Sequence, residues 1–87
     1  MASQAQPAAP PVEVVVGEVF ATLAFAAHAY LADAGEGAEP DLDGAEIAID
    51  LAGRAYERTQ SRLSTQERAA MASMLTDLRM TYVRKRG

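Results

Sequence analysis

The 87-residue chain has no cysteine, no tryptophan, one histidine and one lysine, and its first 53 residues hold no lysine or arginine at all. Each absence removes a class of explanation. Without cysteine there is no disulfide to hold a small fold and no thiolate to act as nucleophile or ligand, and the composition fits a reducing compartment. One imidazole cannot make the multi-histidine set that a transition-metal site needs. A secretory leader opens on positive charge, which the N-terminal region lacks, so the expected location is the cytoplasm. The one long apolar run, residues 14–32, is long enough to span a bilayer, but it contains Glu18 and His28, is rich in alanine, and has no flanking lysine or arginine. A buried helix is expected there and no membrane contact.

What the chain does have is charge sorted into two blocks. Nine carboxylates (Glu13, Glu18, Asp33, Glu36, Glu39, Asp41, Asp43, Glu46, Asp50) precede Arg54, so the first block stands near −9. From Arg54 onward eight basic residues meet three acids (Glu57, Glu67, Asp77), giving +5 and the overall −4. Halves of opposite sign attract, within a chain or between antiparallel copies, while a parallel docking sets like charge against like.

Residues 1–12 read as a tail of Ala, Gln, Ser and Pro with no apolar period, which leaves residues 13–87 as a single domain. A core this small rarely supplies more than about 3–5 kcal/mol without a staple. Nineteen of the apolar residues of the whole chain are alanine, which favours helix but buries little area. With no disulfide and no metal, oligomerisation is the remedy left.

Three helices account for the ordered part. The first is expected over residues 13–34 with Gly35 as a left-handed cap. Val16, Val19, Phe20, Leu23, Ala27, Tyr30 and Leu31 share one broad apolar face of it, and Glu18, Thr22, Phe25, Ala29 and Asp33 lie opposite. Phe25 is the anomaly, because a surface helix would place a charge there. An aromatic rimmed by alanines implies that the second face is covered too. The second helix is expected to open with a capping box at Asp43-Gly44-Ala45-Glu46 and to run to about Arg62. Its seam is Leu42, Ala45, Ile49, Ala52, Tyr56, Thr59 and Leu63, spaced alternately by three and four. The third opens with the capping box Ser64-Thr65-Gln66-Glu67, carries Met71, Leu75, Leu78 and Tyr82 on one face, and closes on Arg84, Lys85 and Arg86 beside the carbonyl end of its dipole. The short link between helices two and three predicts a tight antiparallel hairpin. The expected fold is therefore all-α, a three-helix protein assembled as a homo-oligomer.

Ile49-Asp50-Leu51 through Glu57-Arg58-Thr59, Leu63-Ser64, and above all Asp77-Leu78-Arg79-Met80-Thr81-Tyr82-Val83 resemble a family of small bacterial proteins, domain of unknown function 1844. Phe20-Ala21-Thr22-Leu23 and Asp41-Leu42 extend the likeness over about residues 20–83. At the turn the chain departs from it, with Gln60-Ser61-Arg62 where relatives carry Lys-Gly-Asn. The resemblance implies a compact helical protein, and it brings no activity, cofactor or catalytic residue.

Candidate chemistry is sparse. Glu39-Pro40-Asp41-Leu42-Asp43-Gly44 with Asp50 can be laid over a calcium loop. However, the first and twelfth positions carry the wrong acids, Glu46 takes a normally apolar place, and helix capping explains Asp41, Asp43 and Glu46 without a metal. His28, at the edge of the apolar face, reads as a locally hydrogen-bonded side chain. No serine or threonine has a base at a suggestive spacing, so no catalytic residue, metal or cofactor is expected. The candidate interface between copies is Val16, Phe20, Leu23, Phe25 and Tyr30. The lesser alternative is a small RNA- or ribosome-associated factor meeting phosphates through Arg54, Arg58 and Arg62, four residues apart on helix two, with Arg84, Lys85 and Arg86. No aromatic alternates with these arginines to stack a base, and the pI is about 4.8. The expectation is a non-enzymatic interaction module that binds itself, as a homodimer or higher oligomer, and has room for a protein partner. Deleting residues 1–11, which have nothing to bury, is expected to change unfolding free energy by less than about 0.5 kcal/mol in a denaturant titration.

Overall fold

The computed structural model describes residues 8–32 and 39–87. They form three α-helices, α1 (Val12–Leu31), α2 (Leu42–Thr59) and α3 (Thr65–Arg86), with a 3₁₀ turn over Gln60–Arg62, and no strand occurs among them. Asp33 and Gly35, the expected end of the first helix, lie outside the described residues, and α1 stops at Leu31 with Ala32 extended beyond it.

α1 begins one residue before Glu13, because the carbonyl of Pro11 accepts from the backbone N–H groups of Val14 (3.0 Å) and Val15 (3.3 Å). Proline suits this place, since it has no N–H to leave unsatisfied. Pro11 thus belongs to the helix start and not to the expected tail of residues 1–12.

The expected capping box at Asp43 is corrected to a cap at Asp41, whose carboxylate accepts from Gly44 N–H at 2.9 Å. Two local facts choose Asp41. Its own N–H donates to the Tyr30 carbonyl at 2.8 Å, which ties the start of α2 to the end of α1. A Cβ on residue 44 would lie 2.6 Å from an Asp41 carboxylate oxygen, so glycine leaves the room the cap occupies. At α3 the expected box is present: Ser64 Oγ accepts from Glu67 N–H (3.1 Å) and Glu67 accepts from Ser64 N–H (2.8 Å).

Between α2 and α3 the chain tightens into the 3₁₀ turn, a usual way to satisfy the last carbonyls of a helix. Arg68 secures it. The guanidinium donates to the carbonyls of Gln60 (3.2 Å) and Leu63 (2.8 Å) and to Thr65 Oγ1 (3.4 Å). The buried Thr59 hydroxyl donates back to the Ala55 carbonyl at 2.7 Å, so no polar atom is stranded in the seam.

The core joins Phe20, Ala24, Ala27 and Leu31 of α1 to Ala45, Ala48, Ile49 and Ala52 of α2 and to Leu75 and Leu78 of α3. α1 and α2 run in opposite directions: Tyr30 meets Asp41 at one end, and Glu13 meets Arg62 at the other. The seams of α2 and α3 fall where spacing puts them. α1 is rotated from expectation, with Ala24 buried and Val19 and Tyr30 exposed. Alanines on both helices account for this, because small side chains permit close helix packing, and Ala24 and Ala27 share the buried cluster with Ala45, Ala48 and Ala52. The largest side chain withdrawn wholly from solvent is Leu78, so the core stays thin.

Asp41→Ala should cost about 1 kcal/mol and Asp43→Ala a few tenths at most, read from urea unfolding, whereas a cap at Asp43 would reverse the order. Ser64→Ala should cost a similar amount, about 1 kcal/mol.

Candidate functional site

The outer half of α1 carries six of the eleven exposed large hydrophobic side chains among the described residues. Val12, Val14, Val15, Val19, Phe25 and Tyr30 are all exposed, and Phe25 stands 78% open to solvent. Val15, Glu18, Val19, Thr22 and Leu23 line a shallow groove of about 280 Å³. The Thr22 hydroxyl donates to the Glu18 carbonyl at 3.0 Å, so it can be covered without losing a partner. By length and composition α1 is also the one helix among the described residues that could cross a membrane, and 22% of that stretch is buried. A core helix would be mostly covered.

Of the five candidate interface residues, Phe25 and Tyr30 are exposed and Val16 and Leu23 are half-buried. Phe20 is 4% exposed and belongs to the core of its own chain, so it is withdrawn from any surface a partner meets. The reason is the rotation of α1, which turns Phe20 toward α2 and α3 and leaves Val14, Val15 and Val19 outside. His28 is exposed, and its imidazole makes no hydrogen bond to the described residues, unlike the local bond expected of it.

The arginine ridge is partly engaged. Arg54 Nε donates to Asp50 Oδ2 at 3.0 Å, and Arg62 Nη1 donates to Glu13 Oε1 at 3.3 Å across to α1. Arg58 is exposed. On α3, Arg84 donates to Thr81 Oγ1 at 3.2 Å and Arg86 lies 5.6 Å from the centre of the Tyr82 ring, within cation–π range. Lys85 is exposed.

A second surface was not foreseen. Glu46, Ile49 and Asp50 of α2 share a groove of about 270 Å³ with Arg79, Tyr82 and Val83 of α3, so two acids of α2 and one cation of α3 line the same space. Beside it Arg79, Met80, Val83 and Arg84 surround an apolar hollow of about 410 Å³. Gly53 makes room for Arg79, since a Cβ there would lie 2.7 Å from Nη2. Met80 and Val83 fall off the Met71-Leu75-Leu78-Tyr82 stripe, which was the available sign that they face outward.

Among the described residues no group of three or more His, Asp or Glu side chains is placed to hold a metal ion. The carboxylate of Asp41, drawn into the calcium-loop alignment, is engaged in capping α2.

Over the described residues the architecture is all-helical, with three α-helices. Residues 18–84 match the family model Domain of unknown function (DUF1844), and the chain belongs to that family. No curated protein and no solved structure matches it.

The Glu13–Arg62 pair joins residues far apart in sequence and its carboxylate is partly covered, so a double-mutant cycle with Glu13→Gln and Arg62→Gln should return a coupling of about 0.2–1 kcal/mol that shrinks as salt rises. No coupling at low salt would show that the contact is incidental.

Proposed function

We propose that the chain is a self-associating helical interaction module, working by binding and not by catalysis in a cytoplasmic setting, with α2 and α3 as an antiparallel hairpin that backs α1. The observation that carries this reading is the outer face of α1, a helix about 30 Å long whose exposed apolar side chains include Phe25, 78% open to solvent. Contiguous apolar surface on that scale marks an interaction site, and a second copy would cover it while adding the burial the alanine core lacks. The hairpin is supported by Gly53 lying against Arg79 and by the groove in which Glu46 and Asp50 meet Tyr82 and Val83.

Two observations favour this over the nucleic-acid alternative. Arg54 and Arg62 already hold carboxylates of the same chain, and the net charge of −4 opposes a polyanion at long range. A bilayer is disfavoured as the cover because the surface carries Glu18 and α1 has no lysine or arginine, whereas helices that lie on membranes are rich in both.

At micromolar concentration the unmutated protein should sediment as a dimer or higher species, and Phe25→Glu should shift it toward monomer and lower its melting temperature. A monodisperse monomer in the unmutated protein would overturn the reading. Submicromolar, salt-sensitive binding to ribosomal RNA, abolished by changing Arg54, Arg58 and Arg62 to glutamine, would establish the alternative in its place.

A further inference from the structure

Resting on the self-association just proposed, the inference concerns which stripe of α1 meets the second copy and in which direction. Along α1 and its C-cap residue Ala32 runs a second heptad-like seam: Val14, Glu18, Ala21, Phe25, His28 and Ala32, all exposed, are spaced by four, three, four, three and four. It runs alongside the buried seam of Phe20, Ala24, Ala27 and Leu31, which already packs inside the chain. A sequence spaced this way presents one line of side chains to a neighbouring helix.

The spacing reads the same in both directions. A helix laid antiparallel on its own copy therefore meets its own stripe, with position 23 at the two-fold axis and each residue level with the one whose number completes 46. In that register Val14 lies level with Ala32 of the second copy, Glu18 with His28, and Ala21 with Phe25. Every apolar layer then sets a large side chain beside an alanine, and the polar layer sets an acid beside an imidazole, whose N–H can donate to the carboxylate. A parallel pairing in register would stack Glu18 on Glu18, Phe25 on Phe25 and His28 on His28, and would align the two helix dipoles.

We propose that two copies of the chain associate through antiparallel α1 helices along Val14, Glu18, Ala21, Phe25, His28 and Ala32, with Glu18 of each facing His28 of the other. The choice of a second copy as occupant comes from this self-complementarity: the one acid and the one imidazole stand five residues on either side of the centre, and Phe25 and Ala21 two residues on either side.

Because the natural chain lacks cysteine, single thiols report on the arrangement without interference. Val14→Cys and Ala32→Cys proteins, each first confirmed by sedimentation to associate, are oxidised alone and as an equimolar mixture. The expected result is a mixed Val14→Cys/Ala32→Cys disulfide at least about tenfold more abundant than either self-linked species. The antiparallel register separates the two Val14 positions by about 27 Å along the axis, from eighteen residues at 1.5 Å each. Self-linked Val14→Cys in the intact dimer would overturn the antiparallel direction while leaving self-association standing. An intact dimer that forms neither product would overturn the stripe. A monomer in the unmutated protein would overturn the underlying reading instead. As a second readout, Glu18→Lys and His28→Glu should each weaken association several-fold, and the double variant should recover most of the loss, which a merely structural role for either residue would not produce.

Discussion

The contact on which the rest of the molecule depends is the packing of alanine on alanine between α1 and α2. Ala24 and Ala27 lie in one buried cluster with Ala45, Ala48 and Ala52, and α1 and α2 make the most extensive of the helix–helix contacts. Close approach gains dispersion contacts, but each alanine removes little area from water. The inner side of α1 is therefore satisfied by a narrow strip, and its bulkier residues, Val14, Val15, Val19 and Phe25, are left on the outside. A wider core of leucines would have drawn them inward.

Charge sorting acts on the same scaffold. Reversal of direction from α1 to α2 brings Glu13 to Arg62, and Glu46 and Asp50 of α2 share a groove with Arg79 of α3. Opposite blocks of the chain thus meet inside one molecule, and α2 carries acids at its N-terminal end and arginines toward its C-terminal end, as its dipole favours. The acids left on the outer side of α1 are few, so apolar shape and the placement of Glu18 govern what can lie there.

How much of this could be read from residues alone differs by helix. The seams of α2 and α3 were legible because charged residues occupy the other faces and fix the rotation. Ser64 and Glu67 were legible because a capping box is local and needs no tertiary partner. The rotation of α1 was not, since a helix apolar nearly all round offers no polar face to orient it, and that is why Phe20 was placed on a surface when it lies in the core. Three acids within five residues, Glu39, Asp41 and Asp43, left the cap of α2 ambiguous until the Tyr30 carbonyl selected Asp41. Arg68 and Gly53 act through reach across a turn and between helices, which periodicity does not record. The charge split was plain in the sequence, but which acid meets which base was set by the fold.

The Arg68 clamp also bears on what it costs to close the chain on itself. Its bonds to Gln60, Leu63 and Thr65 close loops of at most eight residues, whereas the Glu13–Arg62 pair closes one of 49. Loop-closure entropy rises with that separation, so the turn is the least costly of these closures, the Tyr30–Asp41 bond between α1 and α2, eleven residues apart, comes next, and the Glu13–Arg62 pair is the most costly. The α1–α2 pair therefore closes at least cost from the Tyr30–Asp41 end, and the Glu13–Arg62 pair secures the end that is hardest to bring together.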